Sequence, residues 1–203
     1  MERPMNAFNT NQLQLILLRP GATDLDEQGR ITGSLDITLS ANGKKQVQRS
    51  SAEIANVTID RIYSAPGSAA SQTLQSLAQF KNSKIRVDEN LRNVNHGLWH
   101  GKLVKELKEN QPKLFRQWQE NPELVHPPGG ETIDEVRIRI NRVIKQITRK
   151  HKAGTVMVVA AEPIAGMILC ELEGSDLQTR WQTNGRFAEW TWVRSKDGAS
   201  VAS

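Results

Sequence analysis

The sequence predicts an α/β fold: a three-layer α/β/α sandwich around a mostly parallel sheet. Three observations carry this. Short apolar runs, such as Leu15–Leu18 and the segment TVMVVAAE at 155–162, suit strands covered on both faces. Segments of helical period lie between them. Turn-forming residues then follow each strand, as Arg19-Pro20-Gly21 follows the first.

In chain order, residues 1–11 read as a loose polar arm and residues 12–203 as a single domain. The first strand leads into a loop, DLDEQGRITGSLDITLS, that turns at Gly29 and Gly33. Ser40 is suited to cap a helix reaching about Val57, with Gly43 weakening its first turn. IDRIYSAP is the second strand, ended by Pro66. A helix over 68–81 follows, facing Leu74, Leu77 and Ala78 inward, and Lys84–Val87 form a third strand. Leu103–Trp118 read as helical, broken at Pro112. Thr132 caps a long helix over 133–150. TVMVVAAE is then a strand, and PIAGMILCEL a helix with Pro163 in its first turn. FAEWTWV closes the series as a strand with Trp190 and Trp192 on one face.

Composition narrows the function. The chain is 37% hydrophobic and 24% charged, ordinary for a globular protein. No apolar run is long enough to span a bilayer and the N-terminus lacks a signal-peptide core, so a cytoplasmic location is expected. Cys170 is the only cysteine, which excludes an internal disulfide and a cysteine-rich metal site. The net charge is +5, much of it in RIRINRVIKQITRKHK over 137–152. There Val136, Ile140, Val143, Ile144 and Ile147 keep helical spacing, and the basic residues are expected on the outer face. No aromatic residues interleave with them, which favours a solvated helix face over a nucleic-acid surface.

Six strings then follow one another in order: LLRPGATD, DEQGRITGSLDITLSANGKKQV, IYSAPGSAASQT, LRNVNHGLWHG, PPGGET and VMVVAAEP. Together they resemble the histidine phosphatase superfamily in its phosphoglycerate-mutase-like branch, over about residues 13–195. The resemblance implies a phosphomonoester substrate, no metal and no cofactor. It also implies that the reaction is lost. The family's phosphorylated histidine falls on Pro20, which offers no nucleophilic nitrogen. Its general acid falls on Asn93, counted back from Gly97, and an amide has no proton to give a leaving group. The second phosphate-binding arginine falls on Ala69 and the second histidine on Ala161, removing groups that stabilise phosphoryl charge. Only Arg19 remains of that core.

No catalytic residue is therefore assigned. The pocket candidates are Arg19, Thr23, Ser68, Asn93, His96 and Glu162. Glu162 stands where the resemblance implies a glycine, beside a helix start, and two readings are open: it pairs with Arg19, or it points to solvent. His96 stands where the family often has a pocket-lining aromatic. The four histidines show no metal-ligand pattern on a helix, so no zinc site is expected.

The leading expectation is a catalytically degenerate pseudophosphatase with a binding, regulatory or structural role. The alternatives are a phosphoglycerate mutase or phosphomonoesterase with a rearranged site, and a basic surface binding nucleic acid or an acidic protein. The expected partners are a protein or a small anionic ligand, with homo-oligomers and nucleic acid as secondary options and no membrane.

Overall fold

The computed structural model describes residues 12–77, 83–181 and 186–193. The expected N-terminal arm and Ala78 lie outside them. A five-stranded sheet runs β3-β2-β4-β1-β5, formed by β1 (Leu13–Leu18), β2 (Arg61–Ser64), β3 (Ile85–Val87), β4 (Gly154–Val159) and β5 (Trp190–Val193). The pairs β1–β4, β4–β2 and β2–β3 are parallel, and β5 joins β1 antiparallel. The mostly parallel α/β sandwich is as expected. Leu15–Leu18 and Val156–Val159 are buried without alternation, because helices cover both faces of the central strands.

The helices are α1 (Asp24–Glu27), α2 (Ala41–Ile54), α3 (Ser68–Ser76), α4 (Val104–Asn110), α5 (Pro112–Glu120), α6 (Ile133–Lys150), α7 (Ile164–Glu173) and α8 (Leu177–Arg180). Ser40 and Thr132 cap α2 and α6 as expected, and Glu135 completes a capping box at Thr132. Pro112 does separate two helices, and Trp190 and Trp192 do share a face, their ring centroids 6.4 Å apart.

The boundaries depart from expectation in four places. The loop after β1 begins with α1, because Thr23 and Asp26 form a reciprocal capping box. Helix α2 stops at Ile54, where the Val57 amide bonds the Ile54 carbonyl in a turn. Helix α3 stops at Ser76, since Leu77 leaves helical geometry to bury its side chain. Pro163 sits one residue before α7, in its cap.

Gly43 has a role the sequence reading missed. A Cβ there would lie 2.0 Å from the Ala22 carbonyl, so only glycine lets α2 pass against the turn after β1. The residue that weakens the helix start thus permits the close approach that shapes the site.

Candidate functional site

Parallel pairing aligns three strand ends. Leu18 is opposite Val159, and Val159 is opposite Ser64. The segments leaving β1, β4 and β2 at their carboxyl ends therefore converge, where open α/β sheets place ligands. A cleft of about 90 Å³ lies there, and its wall includes Arg19, Pro20, Ala69, Asn93, His96, Ala161 and Glu162.

At its floor Arg19 Nε donates to Glu162 Oε1 at 2.5 Å, with the two side chains only 3% and 5% exposed. The second carboxylate oxygen, Oε2, accepts the Gly166 amide in the first turn of α7 at 2.9 Å. Glu162 thus takes a guanidinium and a helix N-terminus, the donors an oxyanion would use. Of the two readings left open by the sequence, the pairing holds. Arg19 makes this bond through Nε alone; its terminal nitrogens have no protein partner among the described residues.

Asn93 is fully engaged, its Nδ2 donating to the Glu162 carbonyl and its Oδ1 accepting the Val94 amide. Thr23 lines the cleft but spends its hydroxyl on Asp26 at 2.7 Å. Ser68 donates its amide to Asp36 Oδ1 at 2.6 Å, and this bond holds the Asp36 carboxyl below its usual range. His96 faces the cleft, as expected, and is 3% exposed. Its ring packs edge-on to Trp118 and His100, and its buried Nδ1 has no partner among the described residues. Burial, reinforced by the neighbouring His100, pushes its pKa down to about 4, so the imidazole is neutral at neutral pH.

His100, His126 and His151 sit elsewhere in hydrogen bonds. His100 Nε2 accepts the His96 amide, His126 Nε2 meets the Gly130 carbonyl, and His151 Nε2 meets the Tyr63 hydroxyl. Among the described residues no group of His, Cys, Asp and Glu is placed to hold a metal ion. None of their helices is long and apolar enough to cross a membrane.

Comparison with known proteins places this arrangement. The profile of the histidine phosphatase superfamily (branch 1) matches residues 15–202. The chain belongs to that superfamily. It is 31% identical to phosphoserine phosphatase 1 of Hydrogenobacter thermophilus over 189 residues, 93% of this chain and 90% of that protein. Among solved structures, Bacillus stearothermophilus YhfR superposes with a TM-score of 0.81 at 23% identity, covering 93% of this chain and 94% of that one. A mycobacterial glucosyl-3-phosphoglycerate phosphatase in complex with VO3 gives 0.77 at 24% identity, covering 88% and 91%.

Pro20, Ala161, Ala69 and Asn93 are the positions expected from the sequence resemblance to correspond to the family's two histidines, second arginine and acid. All four line the same cleft. The basic helix α6 needs a correction. Arg139 is buried, not on the outer face: its guanidinium binds Glu131 and the carbonyls of Asn90 and Arg92. The spacing did carry that signal, since position 139 is three after Val136 and four before Val143. Arg137 is paired as well, with Glu123, Asp134 and Glu171. Sequence reasoning also missed two groups at the mouth of the cleft, Asp36 and Arg186. Asp36 lies in the second string without having been assigned to the pocket, and Arg186 belongs to no string: only the chain's approach to β5 brings it there.

Proposed function

We propose that this histidine phosphatase homologue performs no phosphoryl transfer and uses its cleft as a binding site. The observation that carries the reading is the buried Arg19–Glu162 pair, set among Pro20, Ala69, Asn93 and Ala161. Phosphoryl transfer needs a nucleophile, a proton donor and cations around the transferred group. Here the one arginine at the floor is paired with a carboxylate, and none of the four substituted side chains supplies a nucleophile or an acid.

The competing reading is a phosphomonoesterase with a relocated nucleophile, and the phosphoserine phosphatase relative together with His96 in the cleft speaks for it. Against it, among the described residues the buried Nδ1 of His96 has no hydrogen-bond partner to orient the ring, whereas a nucleophilic or basic histidine works with an anchoring partner. The basic-surface reading loses Arg137 and Arg139 to internal partners.

The deciding experiment is hydrolysis of p-nitrophenyl phosphate and phosphoserine by the purified chain, beside Arg19→Ala and His96→Ala variants. The expected result is turnover equal to a mock purification in all three. Turnover in the wild type that either substitution abolishes would overturn the proposal.

A further inference from the structure

Arg19 and His96 are almost wholly buried side chains in the wall of the same cleft, and among the described residues neither the Arg19 terminal nitrogens nor the His96 Nδ1 has a hydrogen-bond partner. A buried arginine whose terminal nitrogens lack a partner beside a cavity marks a place for a ligand. The open groups describe that ligand. Glu162 occupies only the Nε position of Arg19, which leaves the edge formed by its two terminal nitrogens. That edge matches the two coplanar oxygens of a carboxylate.

Charge narrows the choice further. The lining cations are Arg19 and Arg186, and the lining carboxylates are Asp26, Asp36 and Glu162, an excess of one negative charge. Asp26 is consumed by Thr23 and Thr32, but Asp36 stands exposed at the mouth, held only by the amide and side chain of Ser68 among the described residues. A phosphate dianion would enter against this excess. A simple carboxylate, the small anion expected from the sequence, would deepen it.

We propose that the cleft binds a small zwitterion, its carboxylate on the free edge of Arg19 and its ammonium group toward Asp36. This rests on the non-catalytic reading of the same site, because it requires Glu162 to stay on Arg19. The neutral His96 ring lines the wall without altering the charge balance.

The test is calorimetric titration of the full chain at neutral pH and constant ionic strength. Glycine and 4-aminobutyrate serve as zwitterions of short and long charge separation, against acetate, methylammonium and inorganic phosphate. The better zwitterion is expected to bind at least about tenfold more tightly than any single-charge probe, a difference of about 1.4 kcal/mol. Arg19→Met should abolish that binding, and Glu162→Gln should raise phosphate affinity at least about tenfold, by removing one negative charge. Asp36→Asn, at an exposed position with a carbonyl that still accepts the Ser68 amide, should bring the zwitterion down to the level of acetate even if the buried variants fail to fold. Phosphate or acetate binding the wild type as tightly as the zwitterions would overturn the proposal, as would binding of none of the five probes. Neither outcome touches the non-catalytic reading, which only turnover would end.

Discussion

Removing Glu162 is the most direct probe of the site. In Glu162→Ala the Arg19 guanidinium stays buried with its one side-chain hydrogen bond gone, and the Gly166 amide loses its acceptor. Breaking a buried ion pair from one side costs roughly 3–5 kcal/mol, because the remaining charge stays desolvated. For a chain of this size each kcal/mol moves the midpoint by about 2–4 °C, so the melting temperature should fall by roughly 6–20 °C. Replacing both partners in Arg19→Met/Glu162→Leu should recover most of the loss, since an apolar pair of similar volume leaves no buried charge. Phosphate should stabilise the Glu162→Ala variant selectively by entering the place of the carboxylate. At about ten times its Kd it would return about 1.4 kcal/mol. Urea denaturation with and without phosphate measures the three free energies, and thermal melts measure the midpoint shift. A single-variant loss below about 1 kcal/mol, or a double variant as unstable as the single, would refute the claim that the pair is a desolvated unit.

Other expectations follow from the same structure. His96 has its pKa pushed down to about 4 from an ordinary 6.5, so the unfolded chain binds the extra proton first. Its contribution of about 3 kcal/mol is complete above pH 6.5 and lost as pH falls toward 4; urea midpoints across that range should flatten in His96→Phe. Glu131→Ala strands Arg139 and should cost roughly 3–5 kcal/mol by denaturation, far more than its partly exposed partner change Arg92→Ala. Gly43→Ala should fail to give soluble folded protein or lose most of its stability, read by circular dichroism, because its Cβ meets backbone. Arg142→Glu with Arg149→Glu should shift the denaturation midpoint by less than about 0.5 kcal/mol, as expected for a solvated face, and leave nucleic-acid binding unchanged.

How much of this was legible in the sequence depends on the range of the interaction. Ser40 and Thr132 could be read as caps because a cap is a local bond between neighbours. The strands could be read because their apolar runs are long enough to require cover on both faces. The Arg19–Glu162 contact spans 143 residues and was one of two readings left open; it forms because each residue follows a strand that parallel pairing brings beside the other. The ends of α2 and α3 were not legible: each is decided by where a following side chain finds the core. Arg139 was misplaced because charge was weighed before spacing, although its position lies on the apolar stripe. The His100 bond to the His96 amide, and the approach of Asp36 and Arg186, arise from loop geometry that periodicity does not encode.

The pairing of Glu162 with Arg19 also bears on the history of the chain. Restoring histidines at Pro20 and Ala161, arginine at Ala69 and glutamate at Asn93 would rebuild the inventory of a phosphatase, but not its vacancy. Glu162 would still hold the guanidinium and the amide of α7 that an incoming phosphoryl group needs. Each single reversion would thus meet an occupied anion site and gain nothing for selection to keep. Reverting Glu162 first would strand a buried cation and weaken the fold. On the proposed non-catalytic reading the contact works as a ratchet, blocking single changes toward catalysis in both directions.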